Sequence, residues 1–217
     1  MIYPVITTSL RLLREVADRV PTDRLDDPTP CIEWTVTQVL FHAAGDQYGW
    51  ASFVGTSALP AWDPFAPPTT LDGKVGDLIG PAVQAAATAW ANIDSDAEPV
   101  RTPLPPFPTM PSELAAGACA LDAAIHAWDI AVATGQPSPL TAALAGQLQP
   151  AARATVEPLR GFAYAPAMPE QPGDDAVAAL LRYLGRDPYW TPEHSHAPKA
   201  HLQRSTPSGT EVDGESV

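Results

Sequence analysis

The sequence predicts an all-α protein made of small-residue helices joined by proline-rich connections. Apolar residues recur at three- and four-residue spacing through several stretches, the period that gathers them on one face of a helix. Start and stop signals bracket those stretches. The 26 prolines of the 217-residue chain cluster mostly between them, where a missing amide donor and a restricted predecessor interrupt helix. At this length one domain with a tail is expected, large enough to bury a core without staples.

The first helix is predicted over residues 6–20, where Ile6, Leu10, Leu13, Ala17 and Val20 share a face and Arg11, Arg14, Glu15 and Asp18 lie mostly elsewhere. Pro21 and the run Asp26-Asp27-Pro28-Thr29-Pro30 end it in turns. The second helix has the clearest start. Thr35 and Gln38 match a capping box, Trp34 and Val39 are placed as a hydrophobic staple, and the end is expected near Gly55. A long loop to about Thr70 carries Trp62, Phe65 and several prolines that can pack over a pocket mouth.

A third helix is read from Val75, Ile79, Ala82, Ala86, Trp90 and Ile93. Gly73, Gly76, Gly80 and Pro81 weaken its beginning and predict a kink or a late start at Pro81. Six prolines between Pro99 and Pro111 predict an extended connection with few donors for a sheet. Ser112 is placed as the cap of a fourth helix, Glu113 suits its positive first turn, and Gly135 followed by Pro137 stops it. A fifth helical piece is predicted over residues 141–159 and a sixth over residues 174–183. Residues 191–217 hold scarcely any apolar side chain, so a disordered tail is expected, with His194, His196 and His201 as solvated tail histidines.

Twenty-five acidic against twelve basic side chains give a formal charge of −13, which repels phosphate backbones and anionic membranes; neither nucleic acid nor membrane is expected as a partner. Cys31 and Cys119 are too few for a disulfide framework and are read as reduced thiols. The N-terminus lacks the pattern of a signal peptide, and no run approaches the ~18 uninterrupted apolar residues of a membrane span. A cytoplasmic protein acting on a small molecule, as monomer or homodimer, is the expectation.

Two runs interrupt the apolar faces with chemistry. On the second helix, steps of three and four from Val39 reach His42, Asp46, Trp50 and Phe53; on the fourth, Cys119, Asp122, His126 and Asp129 lie in one stripe. Asp122 and His126, four residues apart, can hold one ion together, and His42 can supply a third ligand from another helix. Imidazole and carboxylate suit zinc and several other divalent metals, although the same pairs also occur as salt links or satisfied core hydrogen bonds. Asp46 is open to three roles: proton handler, fourth ligand, or the carboxylate that orients an imidazole. Asp129 is read as supporting the site, Cys119 as a small core residue, Cys31 as packing before the second helix, and Trp50, Trp90 and Trp128 as core material first.

The blocks Cys31-Ile32-Glu33-Trp34-Thr35-Val36 leading to His42, His126-Ala127-Trp128-Asp129-Ile130-Ala131 with Thr134-Gly135-Gln136, and Leu184-Gly185-Arg186-Asp187-Pro188-Tyr189-Trp190 carry a resemblance. Over residues 5–190 the chain resembles actinobacterial metal-binding proteins related to the N-terminal domain of mycothiol-dependent maleylpyruvate isomerase, within the DinB-like group. The resemblance implies a DinB-like four-helix bundle with additional short C-terminal helices over residues 1–190. It also implies a divalent metal, usually zinc, on His42, Asp122 and His126, with Asp122 standing where the isomerase has a glutamate.

The isomerase has a further C-terminal domain that contributes to catalysis, so its own reaction is not expected here. The reading is a metal-dependent enzyme in which the ion acidifies a thiol, with mycothiol as cosubstrate, or water. The reaction is thiol transfer to, or thiol-assisted isomerisation of, a small electrophile, with Asp46 as proton handler. The alternatives are a metal-dependent hydrolase or Lewis-acid biosynthetic enzyme without thiol, and a non-catalytic metal or small-ligand binding bundle.

Overall fold

The structure is a computed structural model that describes residues 3–55, 57–94 and 99–192. Its α-helices are α1 (Pro4–Ala17), α2 (Val36–Val54), α3 (Val75–Ala91), α4 (Ser112–Ala133), α5 (Ala142–Thr155) and α6 (Ala176–Tyr183). α1 and α2 each pack against both α3 and α4, so these four close a ring with α1 and α2 diagonally opposite. α5 lies on the outer side of α4, and α6 lies on α5. The chain is thus an all-α, DinB-like four-helix bundle with short helices added at its C-terminal end.

Each helix begins and ends for a local reason. α1 starts on Pro4, at a position where a missing amide loses no helical bond, and buries Ile6, Leu10 and Leu13 as the spacing predicts. It ends at Ala17, short of the expected Val20. α2 starts on the capping box foreseen from Thr35 and Gln38. The preceding loop also accepts two of its first amides, Val36 N–H on the Asp27 carbonyl at 3.0 Å and Thr37 N–H on that of Leu25 at 2.9 Å. α4 ends as Gly135 predicts: at φ 72° it lets its own amide and that of Gln136 reach back to Val132 and Ala131.

Four expectations change. α3 starts at Val75 and carries Pro81 inside it; burial of Val75, Ile79, Ala82 and Trp90 outweighs the weak local propensity of its first turns. Ser112 is the first helical residue of α4, not its cap; Pro111 holds the cap position and offers no side-chain hydrogen bond. The proline-rich connection does form a two-residue antiparallel pair, β1 (Val100–Arg101) with β2 (Thr109–Met110), and the Thr102 hydroxyl closes the loop on the Phe107 carbonyl. The fifth helix stops at Thr155, and a separate 3₁₀ turn covers Glu157–Leu159.

α4 is long and apolar enough to cross a membrane by length and composition, but 83% of that stretch is buried within the protein. It lies between the rest of the bundle and α5, which is why it is apolar on nearly every face. Polar groups on such a helix stand out: Asp129 has no exposure, and His126 has 7%. The predicted tail falls almost wholly on residues 193–217, with its three histidines, and so lies outside the described residues.

Because the capping box fixes the start of the helix that carries His42, Thr35→Ala is expected to destabilise the protein by about 1 kcal/mol, with an unchanged dependence on denaturant. Urea unfolding followed by circular dichroism measures it.

Candidate metal centre

Four side chains meet between α2 and α4. Along α2, one turn separates His42 from Asp46, and Nε2 of the imidazole lies 3.1 Å from Oδ2 of the carboxylate. On α4 the same spacing brings His126 Nε2 within 3.5 Å of Asp122 Oδ1. The two imidazole rings are 4.8 Å apart, nearly perpendicular, and ligand atoms of His42, Asp46 and His126 all lie within 4.8 Å of one another. Gln47 ties the helices together beneath them: its amide donates to Asp122 Oδ2 at 2.9 Å, and its carbonyl accepts from the Cys119 thiol at 3.5 Å.

The other nitrogen of each imidazole is engaged. His42 Nδ1–H donates to the Pro64 carbonyl at 2.8 Å. That carbonyl is brought in by the long loop after α2, which lies directly on Gly45: a Cβ there would stand 2.7 Å from the Pro64 ring. The Trp62 indole fastens the same loop by donating to the Phe41 carbonyl at 3.0 Å. His126 Nδ1–H donates to Asp129 Oδ2 at 3.1 Å. Both histidines therefore turn Nε2 toward the cluster, the tautomer that a metal-ligating imidazole needs.

Asp129 is held in turn by Arg186. The guanidinium donates to both carboxylate oxygens at 2.8 Å, the forked geometry of a strong pair. The Cys31 thiol adds a third donor to Oδ2 at 3.1 Å. A turn after α6 delivers Arg186: Gly185, at φ 77°, lets the amides of residues 185 and 186 cap the helix on Arg182 and Leu181. A side chain at Gly185 would also meet the Pro166 carbonyl at 2.8 Å, so no other residue fits that approach.

Charge follows from this arrangement. Burial opposes the imidazolium of His126, but its hydrogen bonds to Asp122, Asp129 and Cys31 outweigh burial and raise it well above 6.5. Burial, with the positive field of His126 added, lowers His42 to about 4. Burial and the neighbouring Asp122 push Asp46 well above the carboxylate range, while the His126 hydrogen bond holds Asp122 below it against burial. Burial pushes Asp129 up, but the charge and hydrogen bonds of Arg186 outweigh it and leave the acid depressed. Each contact thus pairs a group that holds its proton more tightly than usual with one that holds it less tightly: Asp46 with His42, and His126 with Asp122.

The donor set fits a divalent ion. In a tetrahedral site with bonds of ~2.1 Å, ligand atoms stand about 3.4 Å apart, close to the two imidazole–carboxylate separations here. A second trio, Cys31, His126 and Asp129, also lies within 4.8 Å. It suits a cation poorly, because Asp129 already accepts four hydrogen bonds, two of them from the Arg186 guanidinium.

The cluster forms the floor of a cleft of about 910 Å³. Trp34 lies against His42, ring centroids 4.6 Å apart, so the expected staple residue is also a wall of the site. The loop after α2 brings Trp62, Pro64 and Phe65 into the cleft lining. His42, Asp46, Asp122 and His126 lie in one cluster, but the trio whose ligand atoms fall within 4.8 Å of one another is His42, Asp46 and His126, with Asp46 where Asp122 was expected. Asp46 does not orient His42, whose Nδ1 goes to Pro64; it faces Nε2 instead. Trp50 is buried yet reaches the cleft lining, whereas Trp90 and Trp128 stay in the core.

Spacing and residue type alone do not mark Gln47, Pro64, Arg186 or Tyr164 as site residues. Burial pushes the Tyr164 phenol up to about 12, so it stays a neutral group in the cleft wall. The Leu184-Gly185-Arg186 run was the available signal for the arginine. Cys31 too has a larger part than packing, through its bond to Asp129.

Fold and site together define a DinB-like bundle with an internal His/Asp cluster of metal-ligand chemistry. The sequence profile of the family described as the mycothiol maleylpyruvate isomerase N-terminal domain matches residues 6–131, and the chain belongs to that family. The matched span includes all four cluster residues and Asp129, but not Arg186. Two Mycobacterium tuberculosis proteins, one from each of two strains and both described as uncharacterized, are 35% identical over 171 residues, covering 75% of this chain and 86% of theirs. No solved structure gives a significant match.

Arg186→Leu leaves Asp129 buried without its cation and is expected to cost about 3–5 kcal/mol in urea unfolding, part of it recovered by adding Asp129→Asn. A second expectation concerns protons. A metal held by His42, Asp122 and His126 must displace the proton on His126, so uptake releases a proton and affinity keeps rising with pH through and beyond 6.5. Calorimetric zinc titrations across pH, in buffers of different ionisation enthalpy, measure both.

Proposed function

We propose that this protein is a metal-dependent enzyme of the mycothiol-associated group, with His42, Asp122 and His126 holding a divalent ion, zinc first among them, and Asp46 handling a proton. One observation carries the reading: two buried imidazoles whose Nδ1–H groups are engaged elsewhere turn Nε2 toward two carboxylates. A bound zinc supplies a Lewis acid that lowers the pKa of a thiol or water taken into its open position.

The chain's own residues supply the rest. Pro64 and Asp129 fix the two imidazoles, and Gln47 holds Asp122 by one oxygen. Burial and the neighbouring Asp122 raise Asp46 well above the ordinary carboxylate range, the direction that a proton-handling carboxylate needs. Trp34, Trp62 and Phe65 shield the floor from water. Family membership supports mycothiol as the thiol, and transfer to an electrophile, or its isomerisation, as the reaction.

The test is zinc-loaded protein with mycothiol and an electrophile, followed by loss of free thiol. Consumption is expected to require metal, to vanish in His42→Ala and His126→Ala together with stoichiometric zinc, and to fall by a factor of about 10²–10⁴ in Asp46→Asn with zinc retained. Metal content unchanged by both histidine substitutions sinks the site. Turnover of an ester with no thiol consumed moves the reaction to hydrolysis.

A further inference from the structure

We propose that the substrate admitted alongside the thiol is a molecule with a large, uncharged apolar body and a small polar head, and that Ile32, Phe65 and Phe162 at the cleft mouth select it. The assignment of the head to the His/Asp floor rests on the metal-centre reading above; the assignment of the body does not.

Five large hydrophobic side chains are exposed among the described residues: Ile32, Leu59, Phe65, Phe162 and Tyr189. Single exposed apolar residues are ordinary on a protein surface, but four of these five, all except Tyr189, line one cleft. They come from three separate segments: the turn before α2, the loop after it, and the chain after α5. Phe65 and Phe162 meet with ring centroids 5.0 Å apart, and Phe65 lies 5.8 Å from the His42 ring. The apolar rim therefore runs without a break from solvent to the floor.

Charge narrows the class further. Arg186 is the sole cationic residue, histidine aside, among the described lining residues, and it is engaged by both oxygens of Asp129. A carboxylate or phosphate on the substrate's body would find no free guanidinium or ammonium along the walls, and would face Asp63 and Asp122 instead. Volume points the same way. About 910 Å³ is near the top of the ~300–1,000 Å³ range of small-molecule pockets, more than a short di-acid fills, and apolar walls hold an apolar body best.

Hydroxamic acids, uncharged in solution near neutral pH and bound to zinc as the hydroxamate anion, serve as probes in calorimetry on the zinc-loaded full chain: acetohydroxamate, hexanohydroxamate, naphthohydroxamate and the monohydroxamate of succinic acid. Affinity is expected to rise by up to about fourfold per added methylene, to be highest for the naphthyl compound, and to be at least tenfold weaker for the succinyl acid than for hexanohydroxamate. Phe65→Ser with Phe162→Ser, and separately Ile32→Ser, should remove most of the tail-dependent gain, read as the ratio of hexanohydroxamate to acetohydroxamate affinity within each variant. Equal affinity along the series, or a tighter succinyl acid, overturns the proposal.

N-phenylnaphthylamine, a neutral fluorescent probe without a metal-binding head, tests the body by itself. It is expected to bind both metal-free and zinc-loaded protein and to be lost in the Phe65/Phe162 variant. Binding to neither form, or binding unchanged in that variant, overturns the proposal. A protein that takes up no zinc but binds this dye through Phe65 and Phe162 sinks the metal centre and supports the apolar cleft.

Discussion

A carboxylate with no exposure to water, Asp129 on α4, accepts both arms of the Arg186 guanidinium, the thiol of Cys31 and the Nδ1–H of His126. Desolvating such a pair is costly, and it is stable here because each oxygen has charged or polar donors at close range. Its consequence is geometric more than energetic. The pair joins the central helix to a turn 57 residues further along the chain. It also fixes which nitrogen His126 presents to the cluster. Without it the carboxylate beside His126 would be an unpaired charge inside the bundle, and the imidazole would lose its orientation.

His42 is oriented by a different device with the same outcome. A backbone carbonyl at Pro64 takes its Nδ1–H, and that carbonyl is positioned by a loop seated on Gly45 and bonded through Trp62 to α2. One histidine is therefore set by a side-chain ion pair from the C-terminal end of the domain, the other by the loop that also lines the cleft. Two carboxylates on the same two helices complete the floor, and Gln47 of α2 donates to one of them, Asp122, across the interface. The lining loop and the chain after α5 supply the aromatic rim, so the elements that order the floor also shape what can reach it.

Much of this was legible in the sequence. The Thr35/Gln38 box, the Gly135 stop and the Asp122-x-x-x-His126 spacing are local facts: caps, left-handed glycines and helical periodicity act within one turn and survive in the folded protein. Expectations failed where tertiary burial competes with local preference. α3 runs through Pro81 because its apolar face is buried against α1 and α2, and the 99–111 segment pairs two residues although prolines surround them. Arg186 lay inside a recognised run, Leu184-Gly185-Arg186, yet nothing local to that run says that its guanidinium turns back onto α4.

The sequence by itself determined the helices, their faces and the residue types of the site, because each depends on chemistry within four positions along the chain. Only the tertiary structure decided that the two stripes face each other and that His42 takes its orientation from Pro64 and not from Asp46. It alone brought Cys31 and Arg186, 98 and 57 positions away along the chain, to one carboxylate. The physical reason is that a buried charge must find its partner wherever the fold brings one, and that distance in space is set by how helices pack, not by spacing along any one of them.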